Sequence, residues 1–191
     1  MLDLAVIRSN LAGSWALMNG RPEGLRLLDL SLDGFWRSFL AIVLVFPFAV
    51  LAMLGERTVM AAAGEVLPPM TSAYLVWRLI AFVVDWLTFP LIFAIIARPL
   101  GFGRTFVPFI ISRNWASVIA MAIAGLAHGL IVLGVVPART ATFVLLFVLG
   151  VALRFSYCLA RSALGAPVSA AIPIVILDLV TSLVLEAAFG A

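Results

Sequence analysis

Four charged residues stand where charge is expensive. Asp85, Asp178, Arg113 and Arg154 each lie well inside a long apolar stretch. A charged side chain near the centre of a bilayer costs ~2.5–3.5 kcal/mol on insertion scales, so such groups pair, face water or mark a path for ions. Asp85 and Asp178 fall near the middles of their stretches. Arg113 and Arg154 each lie ~10 Å from one and the same end of theirs, at the rise of a helix. The four are therefore expected to meet in one polar cluster, with Asn114, Ser156 and Tyr157 completing the hydrogen bonds. The planar guanidinium suits such a role because it grips a carboxylate bidentately and stays ionised. Two readings follow. One is a solute or proton path through the polar centre. The other, favoured because the charges balance, is a buried ionic lock that fixes helix register. A proton path would instead leave one carboxylate unpaired.

Other chemistries find less support. His128, the sole histidine, has no further ligands at metal or haem spacing, and is read as a core histidine hydrogen-bonded across helices. The single cysteine, Cys158, excludes an intramolecular disulfide and a cysteine metal cluster. No serine occupies a nucleophile-elbow motif. Gly101-Phe102-Gly103-Arg104 lacks the strand–turn–helix context of a phosphate loop and is read as a short turn. Paired aspartates suggest an intramembrane aspartyl protease, but Val84-Asp85-Trp86 and Leu177-Asp178-Leu179 do not match that context. No enzyme, cofactor or metal is expected.

The elements that must position these residues are membrane helices. The 191 residues are 65% hydrophobic and 11% charged, whereas soluble domains run near half apolar and a quarter charged. Five stretches, near 36–54, 73–97, 106–136, 138–160 and 168–189, approach the ~20 residues that cross a bilayer. The expected fold is an all-α membrane bundle, with residues 1–33 as a cytoplasmic interfacial segment and 34–191 as the transmembrane domain. The third stretch is the longest, and only Pro137 separates it from the fourth. Pro47, Pro90 and Pro173 are expected to kink spans one, two and five. Gly125 and Gly129 form a GxxxG pair, a close-approach face for a helix of this chain or of another copy. Arg78 is expected to snorkel to the interface beside Tyr74 and Trp77.

In the first segment Leu4, Ile7, Leu11, Trp15 and Met18 recur every three or four residues, while Arg8, Asn10 and Ser14 fall on other faces. This predicts an amphipathic helix capped by Asp3 and ending near Asn19-Gly20. It either lies on the membrane surface with Trp15 at headgroup depth or docks on the ends of the spans. Asp33-Gly34 is expected to cap the first span, with Trp36 and Arg37 as interfacial anchors. Asp3 precedes any basic residue and no apolar core of the required length follows, so a cleavable signal is not expected.

Arginine placement orients the bundle. Arg8, Arg21, Arg26, Arg37, Arg98, Arg104 and Arg161 fall on one side, against Arg57 and Arg139, with Glu56 and Glu65, on the other. The positive-inside rule then puts the N-terminus in the cytoplasm and the C-terminus outside. All twelve basic residues are arginine, a bias of GC-rich coding that points to a bacterial inner membrane. A net charge of +3, scattered along the chain, is not a nucleic-acid footprint.

This layout, with a cytoplasmic N-terminal segment, five closely spaced spans and a short exterior C-terminus, resembles Yip1-type membrane proteins. The segments Ser31-Leu-Asp-Gly-Phe-Trp-Arg-Ser-Phe39 and Ser112-Arg-Asn-Trp115 look like those in bacterial proteins placed near that group. That resemblance implies a non-enzymatic bundle working through protein partners. The expected function is a scaffold or accessory subunit associating with itself or a larger membrane complex, with membrane lipid around it; a small transporter or channel is the alternative.

Overall fold

The computed structural model describes residues 3–189. They form helices and turns, with no strand among the described residues. Helix α1 (Leu4–Met18) leads through a 3-10 turn (Pro22–Leu27) to α2 (Leu32–Ser38). A second 3-10 turn (Phe39–Ala41) joins α2 to α3 (Ile42–Ala62). Helices α4 (Ser72–Ile96), α5 (Phe106–Val132), α6 (Ala138–Ala163) and α7 (Val168–Phe189) follow. Five helical stretches are long and apolar enough to cross a membrane, and the chain is a multi-pass membrane protein.

The first of these runs unbroken from Leu32 to Ala62, eight residues beyond the end expected at 54. Glu56 and Arg57 therefore stand inside the helix and not in the following loop. Its start also differs. Ser31, not Asp33, caps it, its hydroxyl accepting from the Gly34 amide at 3.0 Å. Asp29 accepts in turn from the Ser31 hydroxyl (2.6 Å) and amide (3.2 Å), which holds its carboxyl below the usual value of 3.8. The third span is shorter than its apolar run. It ends at Val132, where Gly134 at φ 72 turns the chain, a backbone region that costs glycine nothing. Pro137 then stands one residue before α6, so a short loop rather than a polar linker separates the two spans.

Helix α5 is the hub, packing on α1, α2, α3, α6 and the edge of α4. Its closest approach is to α3, where a Cβ built on Gly125 would lie 2.7 Å from the Phe48 Cβ and 2.8 Å from its carbonyl. A Cβ on Gly55 of α3 would likewise fall 2.6 Å from His128. Gly129 is looser, with Leu51 3.8 Å away. The GxxxG face is thus occupied within the chain. His128 is buried there, but its Nδ1 pairs with the Ala124 carbonyl of its own helix at 2.8 Å and not across helices. Towards the α1 end the core is aromatic: Phe89 and Phe93 stack and Phe109 meets both edge to face, with ring centroids 5.1–6.3 Å apart.

Helix α1 docks on α5 and α6. Asp3 caps it, accepting from the Ala5 amide at 3.2 Å, and Gly20 at φ 76 terminates it. The face it buries is only partly the apolar stripe: Met18 is buried and Ile7 and Leu11 are half-buried against the core. Asn10, Gly13, Ser14, Leu17 and Met18 point inward, while Leu4 and Trp15 are 75% and 49% exposed. Gly13 meets Gly24 of the following turn backbone to backbone, and Ser14 donates to the Ser112 carbonyl at 3.2 Å. Small residues let the backbones approach, and Leu4 and Trp15 are left facing outward.

Candidate functional site

The charged residues do not form one balanced cluster. They are strung along α7. Asp178, Ser182 and Glu186 recur every fourth residue and share one face of that helix. They span ~12 Å at 1.5 Å per residue, and each meets a different partner.

At the deep end, Arg113 of α5 donates to Asp178 at 2.7 Å, the two side chains 15% and 25% exposed. The Arg113 guanidinium also lies over the Phe89 ring, 4.5 Å from its centroid. Ser156 lines a cavity of about 20 Å³ beside this pair, with Phe109 and Leu159. At the other end, Arg78 of α4 donates to Glu186 at 2.9 Å and lies 3.8 Å from Glu56 of α3. Its side chain is 17% exposed and is held in an ion triad with carboxylates that are themselves 48% and 59% exposed. Trp77 donates to the Phe189 carbonyl at 3.1 Å and packs ring to ring with it, tying the same two helix ends.

Between these two clips stands Asp85 of α4. Ser182 donates to its Oδ1 at 2.9 Å, and among the described residues no cation approaches its carboxylate within 4.0 Å. The expectation of two aspartates neutralised by two arginines therefore fails at Asp85. It fails because Arg154 is elsewhere. Phe155, Leu159 and Ala163 form the buried stripe of α6, and residue 154 lies ~100° around the helix from residue 155. Arg154 is exposed on the face shared with Phe143 and Phe147, its guanidinium over Phe155. Asn114 is turned away in the same manner. It is fully buried and donates to Ser38 at 2.9 Å, and Ser38 donates to the Phe35 carbonyl at 2.7 Å, tying α5 to α2. Tyr157 packs against the core and takes no part in the polar seam.

Asp85 lines a cleft of about 610 Å³ between α3, α4 and α7. Helices α3 and α4 are consecutive yet scarcely pack on each other, α4 leaning on α7 instead. Phe46 and Phe82, with ring centroids 6.0 Å apart, reach across the gap. Arg57 holds the connecting loop, donating to the Pro68 carbonyl at 2.9 Å beneath the Tyr74 ring. Glu56, Arg78, Asp85 and Glu186 are the charged groups in the lining, among mainly apolar walls. Several wall residues, including Leu75, Val76, Leu79 and Leu183, are 44–59% exposed, so the cleft opens on the side of the bundle.

The interfacial anchors stand apart from this seam. Trp36 is 68% exposed against Phe35 and Phe39, Arg37 is exposed beside it, and Trp15 sets its ring edge on Phe155 with 5.6 Å between centroids. Among the described residues, no three His, Cys, Asp or Glu side chains converge as a metal site. Sequence reasoning missed Glu56, Ser182 and Glu186. The signals were the four-residue recurrence at 178, 182 and 186, and the seven-residue step from Arg78 to Asp85, which puts both on one face of α4. Comparison with family models, curated proteins and solved structures returns no match.

Proposed function

We propose that this chain is a small transporter or channel of a bacterial inner membrane, moving a solute by way of the cleft between α3, α4 and α7. Its N-terminus then lies in the cytoplasm and its C-terminus outside, following the seven arginines at the α1 end of the bundle. The observation that carries the reading is Asp85: a carboxylate inside a span, without a cationic partner among the described residues, lining a cleft of ligand size. An intramembrane ionisable group of this kind is by default a functional group. The test is flux. Purified protein in liposomes should raise proton or monovalent-cation movement, driven by an imposed potential, above protein-free vesicles, and Asp85→Asn should remove the increase. Equal flux with and without protein, or equal flux through the parent and the Asp85→Asn variant, overturns the proposal.

A second reading is a scaffold or accessory subunit, and the unpacked α3–α4 pair favours it, since a partner's helix could enter that gap. The occupied GxxxG face no longer supports it. Crosslinking in native membranes from cysteines placed at Val76 and Leu183 would capture such a partner; a chain recovered only uncrosslinked sinks this reading.

A further inference from the structure

We infer that the cleft takes an organic monovalent cation with an apolar body, seated with its charge against Asp85. The inference rests on the transport reading above for its site, and names the ligand class.

Charge sets the sign. The lining holds three carboxylates, Glu56, Asp85 and Glu186, and one guanidinium, Arg78. Arg78 is already engaged with Glu186 and Glu56, which leaves Asp85 as the carboxylate available to a guest. An anion entering the cleft would meet that carboxylate in a poorly screened setting, where like charges repel over long range. Arg78 and Asp85 are seven residues apart, so the free carboxylate lies ~10 Å deeper than the ion triad along α4.

The walls set the body. Phe46 and Phe82 meet across the gap with their ring planes 58° apart, and residue 82 is one turn before Asp85. An aromatic face beside a carboxylate attracts a weakly hydrated organic cation twice over, through its quadrupole and through the neighbouring charge. Met53, Met121 and Leu79 supply adaptable apolar surface. A bare metal ion is a poorer occupant, because it needs several oxygens converging within ~2.0–2.6 Å, and no such group of carboxylates exists among the described residues. About 610 Å³ suits a small organic molecule instead. The half-exposed wall residues give the guest a lateral route from the bilayer, which an amphipathic cation enters readily.

The experiment uses the full chain in detergent and two ions of matched shape and opposite charge, tetraphenylphosphonium and tetraphenylborate, in equilibrium dialysis. The expected result is saturable binding of the phosphonium alone. Asp85→Asn should weaken it roughly thirtyfold, the scale of removing one member of a close charge pair. Glu65→Gln, outside the cleft, should leave it unchanged. Gel filtration and circular dichroism report whether the Asp85→Asn variant folds. Should it not, Leu79→Arg, a cation placed on a half-exposed wall, must abolish phosphonium binding in its stead. Equal binding of both ions, or phosphonium binding unaltered by the cleft substitutions, overturns the inference. Phosphonium binding without any flux in liposomes leaves the inference standing and removes the transport reading; flux without phosphonium binding does the reverse.

Discussion

The Arg113–Asp178 pair joins α5 to α7 inside the membrane, and its removal can be worked out in numbers. In Asp178→Asn the Arg113 guanidinium keeps its position over Phe89 but loses its carboxylate at 2.7 Å. An unpaired arginine at this depth costs ~2.5–3.5 kcal/mol on insertion scales. The Phe89 contact is present in parent and variant alike and cancels from the difference. A loss of ~2.5–3.5 kcal/mol is therefore expected. Breaking a buried pair in a soluble protein costs a similar ~3–5 kcal/mol. Replacing both members, Arg113→Leu with Asp178→Leu, removes the orphan charge along with its partner. Such replacements of buried pairs are often neutral or favourable, so the double variant should fall within ~1 kcal/mol of the parent. The assay is reversible unfolding in bicelles by SDS titration, followed by circular dichroism, with the single and double variants closing a cycle. If Asp178→Asn costs less than ~1 kcal/mol, or the double variant loses as much as the two singles together, the pair is not a lock and the reasoning fails.

Three further outcomes follow. Gly125→Ala should destabilise by ~1–3 kcal/mol in the same assay, because its Cβ meets Phe48 at 2.7 Å and the backbone carbonyl at 2.8 Å and must push α3 from α5, whereas Gly129→Ala, with Leu51 at 3.8 Å, should be near neutral. Equal effects would refute the close α3–α5 approach at Gly125. Arg154→Leu should not destabilise and should raise stability by up to ~2–3 kcal/mol, since the arginine stands exposed inside a span with no ionic partner among the described residues; a loss of more than ~1 kcal/mol contradicts that placement. The Ser31 hydroxyl and amide hold the Asp29 carboxyl below 3.8. For a lowered carboxyl the stabilisation is present above the unfolded value and lost as pH falls through the folded one. The Ser31 amide resonance should thus titrate with a midpoint below 3.8 and stop titrating in Asp29→Asn; a midpoint above 3.8 contradicts the cap.

The five spans were legible because a run of apolar residues at bilayer length has one low-energy use. Which side chains meet was much less so. Arg113 and Asp178 were expected at comparable levels and do meet, but level along a helix is only half of a position. Arg154 reaches a similar level on α6 and points outward, because the angle of a helix about its own axis is set by its neighbours. Helix α1 misled for a related reason. In water its Leu4, Ile7, Leu11, Trp15 and Met18 stripe would define the buried side. Yet only Met18 of these is fully buried, and Ile7 and Leu11 are half-buried. Beside a bilayer, apolar surface has a second place to go, and Gly13 and Ser14 provide the closer packing. Glu56 and Glu186 were passed over because they lie near the ends of spans, where a carboxylate usually needs no partner. The four-residue ladder on α7 was in the sequence, but it became a seam only once α4 was seen to lean on α7 and not on α3.

The same geometry separates the two roles that charge plays in this bundle. Arg113–Asp178 and Arg78–Glu186 each join α7 to a neighbour by a close ion pair, and each is accountable as structure. Asp85 is not. Its bond from Ser182 contributes about 0.5–1.5 kcal/mol, or up to ~3 kcal/mol as a bond to a charged group. Holding a carboxylate near mid-membrane costs ~2.5–3.5 kcal/mol. As a helix tie it is at best near break-even, and the cleft around it is a place where an apolar side chain would sit without that cost. Asp85→Asn, which keeps a hydrogen-bond partner for Ser182 and discards the charge, should therefore leave the unliganded protein as stable as the parent or more so in the SDS titration. In the presence of a bound organic cation the order should reverse, because the parent gains stability from a ligand that the variant holds weakly. A loss of ~2 kcal/mol or more in Asp85→Asn without ligand would make Asp85 a structural tie like Asp178, and would take away the observation on which the transport reading stands.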